Sequence, residues 1–292
     1  MTNLRLVIVL GLLLVASRAR AQDEPPPGPS GGTITQADGL SAWSTSVADN
    51  PFTLNSGMLE VHAALPVFLL GVPGVNAMGM PITVTDTFVL AGGGVSYGIS
   101  NDLEVGGDLA IALAPNAGLG ALAGHVAYRI YNKGKISAAV GAALVFSDSA
   151  KDFFIAAGGS FRYRFTKQWS IYTTTGALPS GCGECLHVAG PVTGQFLVQV
   201  PTSGGGSTQV QFGLPVGVGF QATNALYLYA SLVLLDVGST NTVIGRDYFP
   251  LTIGGWYALS NKLRLGLNIF DDFEHAGNAF EIEGMIKIYV GG

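Results

Sequence analysis

Charge is scarce in this sequence. Only 11% of its 292 residues are Asp, Glu, Lys or Arg, against about 25% in an ordinary soluble domain. A disordered chain needs the opposite balance, high charge with few aromatics, and here aromatics reach 10%. Basic residues are scarcer still, 14 against 19 acidic, for a formal charge of −5. That excludes a generic nucleic-acid binder, whose phosphate contacts need a basic surface. There are two cysteines, too few for a disulfide scaffold. Long apolar helical runs are missing from the body of the chain as well. The stretch 109–128 has no charged side chain, but Pro115-Asn116 at its centre would break a helix. The run 136–146 is too short to span a bilayer as a helix. Residues 185–235 are free of charge yet filled with Gln, Thr, Ser, Gly and Pro.

Apolar residues and glycine are what the chain has in quantity. Hydrophobic residues make up 48% and glycines number 42; the mean hydropathy is +0.42. So much apolar surface needs either a very large core or lipid. At the N-terminus, Arg5 precedes the apolar run Leu6 to Ala16, and Ala19-Arg20-Ala21 follows as a small-x-small cleavage site. These are the three regions of a secretory signal peptide, residues 1–21. Cleavage after Ala21 removes three Arg and leaves 11 basic and 19 acidic residues, a net charge of −8. Residues 22–56 read as a periplasmic linker and tail, rich in Pro and Gly at its start. Its later part, 32–55, contains Trp43 and Asn50-Pro51-Phe52 and has two possible places: the periplasm, or the interior of the following domain as a plug.

From residue 57 onward the period is two. In 280–290 one face is Glu281, Glu283, Met285, Lys287 and Tyr289; the other is Phe280, Ile282, Gly284, Ile286, Ile288 and Val290. The segments 209–221 and 153–165 alternate in the same way. Such alternation gives strands with one apolar face and one polar or small face. Twelve strands are expected, at about 57–70, 82–99, 103–114, 118–131, 135–147, 153–166, 169–178, 207–222, 225–237, 247–259, 262–274 and 279–290. Short turns such as Ser100-Asn101-Asp102 and Ser260-Asn261-Lys262 alternate with longer connections, 71–81 and 179–206 among them. Aromatics gather at both ends: Tyr97, Tyr128, Phe165, Trp169, Tyr227, Tyr257 and Tyr289 near the short turns, and Phe68, Phe88, Phe146, Phe153, Phe249, Phe273 and Phe280 opposite.

On these features, residues 57–292 resemble the Gram-negative outer-membrane β-barrel proteins. An even strand count, strands of 10–14 residues, alternating turn lengths and aromatic girdles are that architecture's marks. The resemblance implies an all-β fold, a single antiparallel transmembrane barrel of 12 strands. It also implies an outer-membrane location, contact with membrane lipid, and insertion by the barrel assembly machinery. The chain departs from the common aromatic ending, closing instead on Tyr289-Val290-Gly291-Gly292.

Parity then assigns an inward face: Glu60, His62, Glu104, Asp108, His125, Arg129, Arg162, Arg164, Gln209, Gln211, Arg264, Asn268, Glu281, Glu283 and Lys287. These are the expected lumen-lining residues of a narrow pore for passive passage of small polar solutes. Small inward neighbours such as Ala139, Gly217 and Gly219 favour an opening. Ion pairing inside, for instance Glu104 with Arg129, would favour a sealed structural or surface-binding barrel acting through loop 179–206. A lipid-modifying enzyme is the third possibility. It is disfavoured, because none of the four histidines (His62, His125, His187, His275) shows a serine partner motif. Cys182 and Cys185, with His187 nearby, offer too few ligands for a typical metal site. In a secreted chain they read as a local disulfide. The reading includes no metal, no cofactor and no nucleic acid.

Overall fold

The computed structural model describes residues 43–75, 80–147, 152–173, 197–202, 211–238, 242–243, 250–272 and 279–291. The chain divides into Met1–Gln36, which lies outside the described residues, and Ala37–Gly292, which carries the fold. The expected signal peptide, Cys182, Cys185, His187, Gln209, Phe249, Phe273 and His275 all lie outside the described residues. Among the described residues no helix is long and apolar enough to cross a membrane.

The strands are β1 (Met58–Val75), β2 (Pro81–Gly98), β3 (Leu103–Ala114), β4 (Gly118–Lys133), β5 (Ile136–Ser147), β6 (Asp152–Arg164) and β7 (Trp169–Thr173). There follow β8 (Leu197–Thr202), β9 (Gln211–Gln221), β10 (Leu226–Gly238), β11 (Thr242–Val243), β12 (Pro250–Ser260), β13 (Leu263–Asp272) and β14 (Ala279–Gly291). Each pairs antiparallel with its neighbours, β14 pairs with β1, and β9 pairs with β10. The sheet therefore closes into a twelve-stave antiparallel barrel.

The seventh stave is built from two pieces. Strand β7 covers only Phe161 to Arg164 of β6, while β8 runs in the same direction beside Phe153 to Ala157. Strand β8 also pairs with β9. The sequence placed all of 179–206 in a connection between strands. Instead Leu197–Thr202 completes the wall, because β6 and β9 would otherwise face each other with unpaired backbone groups at that height. The connection 71–81 is likewise shorter than expected, since the β1–β2 ladder continues to Val75 opposite Pro81.

Hydroxyl side chains close the short turns. Ser100 Oγ accepts from the Asp102 and Leu103 amides at 3.2 and 3.1 Å. Thr166 and Thr223 do the same for Trp169 and Leu226 at 2.9 and 3.0 Å, and Ser260 accepts from Lys262 at 3.1 Å. Such turns satisfy local donors without a partner from elsewhere. At the β4–β5 turn Gly134 has φ 59°, a value only glycine adopts without strain.

The two faces of the wall differ sharply. Outward lie Leu122, Ile130, Leu144, Leu267 and Val290, each half-exposed with no protein to cover it. Tyr97, Tyr128 and Tyr257 point out near the short turns, and Trp169 packs on Phe220 there at 4.6 Å between centroids. Four aromatics assigned to the girdles belong to the other face. Tyr227 and Tyr289 are buried inside, and Phe68 and Phe88 sit opposite each other in register with inward Glu281. Position within a strand sets height only; parity sets the face.

Candidate functional site

Residues 43–57 precede β1 and lie against the inner wall at the short-turn end. Trp43, Ala48, Leu54 and Met58 are buried, and Trp43, Leu54 and Met58 cluster with Tyr289. A single 3-10 turn, Val47–Asp49, is the segment's one regular element. It therefore has little structure of its own and depends on the wall. The chain passes the staves one after another. Ser44 lies by β13, Ser46 and Ala48 by Gln221 of β9, Val47 and Asn50 by β6, and Thr53 and Leu54 by β4 and β3. Gly57, with φ 76°, then turns into β1 and donates to Gly98 O at 2.8 Å.

Arginines hold this segment, mostly by its backbone. Arg129 donates from Nε to Thr53 Oγ1 and from Nη2 to Thr53 O, both at 2.9 Å, with Asn55 Oδ1 at 3.4 Å. Arg162 donates to Val47 O at 3.1 Å and to Asn50 O, with its guanidinium over the Phe52 ring. Arg264 donates to Ser44 O at 2.6 Å and lies 5.7 and 5.2 Å from the ring centroids of Trp43 and Tyr289. Arg164 pairs with Asp49. The direct Glu104–Arg129 pair weighed from the sequence does not form. Glu104 Oε2 accepts from the Leu54 amide at 2.7 Å instead.

The scale of the barrel shows what one circuit of chain does. Twelve staves about 4.8 Å apart and tilted about 40° close on a circle about 24 Å across. Inward side chains take about half of that, leaving about the ~10 Å width of one packed chain. Residues 43–57 lie within that width, along the wall at the short-turn mouth.

Above the mouth, a polar chain runs along β14, β1, β3 and β4. Lys287 Nζ donates to Glu60 Oε1 at 2.8 Å, and His62 lies 3.3 Å from the same oxygen. His62 Nε2 meets Asp108 Oδ1 at 2.6 Å, and Asp108 Oδ2 meets His125 Nδ1 at 3.0 Å. On the neighbouring staves β10, β13 and β14, Tyr229 donates to Asn268, whose Nδ2 donates to Glu283 at 2.8 Å. Tyr172 and Tyr227 stand on either side of Tyr229, 6.4 and 6.2 Å away between centroids.

These side chains lie flat over inward glycines of the neighbouring strand. A Cβ at Gly94 would meet Asp108 and His62; at Gly106, His125; at Gly217, Tyr172; at Gly219, Tyr227; at Gly254, Tyr229; and at Gly266, Trp256. The sequence treated Gly217 and Gly219 as signs of open space. The space each one frees is filled by the next stave's aromatic ring.

Of the residues expected to line the lumen, Glu60, Glu104, Asp108, His125, Arg129, Arg162, Arg264, Glu281 and Glu283 are buried in the interior. His62, Arg164, Asn268 and Lys287 are partly buried there, and Gln211 stands at the start of β9. The arginines stand at the short-turn mouth and the carboxylate–histidine chain beyond it, with Asn268 and Glu283 joined to Tyr229.

Sequence reasoning missed Ser96. Its Oγ lies 3.2 Å from His125 Nε2, while Asp108 holds Nδ1, which is the nucleophile–base–orienter order of a hydrolytic triad. Only register brings 96, 108 and 125 together, so no local motif marks them. The surroundings oppose catalysis. Ser96 is 1% exposed, and Glu104 Oε1 lies 3.7 Å from the same Nε2. An oxyanion formed there would face a carboxylate rather than donors.

No family model matches the chain, and no curated protein matches it. In overall architecture it is similar to solved outer-membrane porins and channels. The KdgM porin in complex with disordered oligogalacturonate is 6% identical, with 79% of this chain and 98% of that one covered at a TM-score of 0.48. For the NanC porin the values are 8%, 80%, 99% and 0.48. For an outer membrane channel from Pseudomonas putida F1 they are 8%, 82%, 97% and 0.48.

Proposed function

We propose that this protein is a barrel of the Gram-negative outer membrane that lets small polar solutes pass, with residues 43–57 narrowing its periplasmic mouth. The observation that carries the reading is the inversion of the wall. Its outer face leaves leucines such as Leu122 and Leu267 more than half exposed, 53% and 52%, while its inner face buries Glu60, Asp108, Arg129 and Arg162. Water-soluble proteins do not leave such a continuous apolar surface uncovered. A bilayer covers it, and a spanning barrel whose polar groups all turn inward is the form lipid permits. The polar interior supports a hydrated path, and its two charge zones supply a basis for ion preference. Signal-peptide composition supports export to that membrane.

The test is single-channel recording from refolded mature chain, residues 22–292, in a planar bilayer. Small, stable steps are expected. Asp108→Asn removes one carboxylate from the inner wall, so its steps should be less cation-preferring. Absence of steps from protein shown to be folded would overturn the pore reading. The weight would then move to a sealed barrel acting through the 179–206 region.

A further inference from the structure

We propose that the short-turn mouth is an oxyanion-binding site for small solutes carrying several carboxylates or phosphates, and that residues 44–55 occupy it as an internal stand-in. The argument begins with Arg129, Arg162 and Arg264, which are 7%, 7% and 5% exposed. A buried guanidinium is stable only when its charge and its fork of donors are both answered. Among the described residues none of the three forms an ion pair. Their acceptors are neutral oxygens: the carbonyls of Ser44, Val47, Asn50 and Thr53, with the Thr53 hydroxyl and Asn55 amide.

A second observation points the same way. Arg264 Nε is buried with no acceptor at all, so the segment leaves the donor set incomplete. Carboxylate and phosphate oxygens match a guanidinium fork in geometry and bring the missing charge, and their hydrogen bonds are about twice as strong as those to neutral acceptors. The three arginines stand on β4, β6 and β13, on different staves of the rim, so the site favours a solute with more than one anionic group.

Occupancy by the chain itself makes this an exchange. A tethered segment competes at an effective concentration on the order of millimolar, so a multivalent anion should displace it in about the same range. Exchange is a property of the folded mouth and does not require conduction. Its failure is therefore distinct from failure of the pore reading.

The experiment uses full-length mature chain in detergent and citrate as the probe. Ala48, 2% exposed, is replaced in Ala48→Cys, and its reaction with a charged maleimide is followed by the mass of the peptide containing residue 48. Citrate should raise the labelling rate about tenfold or more, saturating at roughly millimolar concentration. Potassium chloride at matched ionic strength and sucrose should not. Arg162→Gln in the same background should label faster without citrate and lose most of the citrate response. Hydrogen exchange of peptide 44–57 in the unsubstituted chain provides the same readout without the cysteine. No effect of citrate on either measurement, or an equal effect of potassium chloride, overturns the proposal.

Discussion

Arg129→Met should release residues 43–57 from the wall while leaving the barrel closed. The native side chain makes two hydrogen bonds of 2.9 Å and one of 3.4 Å to Thr53 and Asn55. Bonds to a charged donor contribute about 1.5–3 kcal/mol each. Counting only the two short ones at the low end gives about 3 kcal/mol of docking lost. At 1.4 kcal/mol per factor of ten, the open fraction of the segment should rise about a hundredfold. Methionine keeps most of the apolar stem, so packing along β4 is little changed. The ladder is unaffected, because no backbone hydrogen bond of β4 depends on this side chain. Amide exchange is the assay, since it reports local opening as an equilibrium. Peptides covering 44–57 should exchange about a hundredfold faster, whereas peptides from β1 to β6 should keep their protection. Unchanged exchange in 44–57 would refute the claim that Arg129 anchors it. A rise of equal size across the strands would show that the segment and the barrel open as one unit.

Three further outcomes test other parts of the account. Gly254→Ala places a methyl group against Tyr229 and Asn268 and should destabilise the barrel by about 1–3 kcal/mol, read from the denaturant midpoint. Gly284→Ala, where nothing lies within 4 Å, should be close to neutral; equal effects would refute the ring-over-glycine packing. Leu267→Arg on the outer face should cost about 2–4 kcal/mol for folding into bilayers, measured against the same variant folded in detergent. A matching cost in both media would mean that this face does not meet lipid. Trp43→Ala removes the ring that packs against Tyr289, tilted, at 5.2 Å between centroids and lies beside Arg264. It should speed exchange across 44–57 together, as Arg129→Met does, and a rise confined to 44–46 would refute docking of the segment as one unit.

Period-two alternation was enough to place almost every stave within a few residues, because a wall between lipid and a polar interior imposes opposite chemistry on successive side chains. The same alternation assigned Glu60, Asp108, His125 and Arg162 to the inside before any pairing was known. Tyr227 and Tyr289 were misplaced in the girdle, since an aromatic near a strand end satisfies a height argument on either face. The second piece of the seventh stave was illegible because Leu197–Thr202, six residues long, is a run too short to stand out.

What the sequence by itself determined is therefore the barrel: the side-chain period, the turn residues and the sidedness of charge are local properties written along the chain. Only the tertiary structure decided how the interior is filled. Aromatic rings cover glycines, and Ser96 meets His125, across strands whose register no single segment encodes. Residues 44–55 dock largely through backbone carbonyls and amides, which every residue carries, so the sequence left them two places, the periplasm or the interior, without choosing. The arginines that receive them were visible; their acceptors became so only when the ring of strands closed around them.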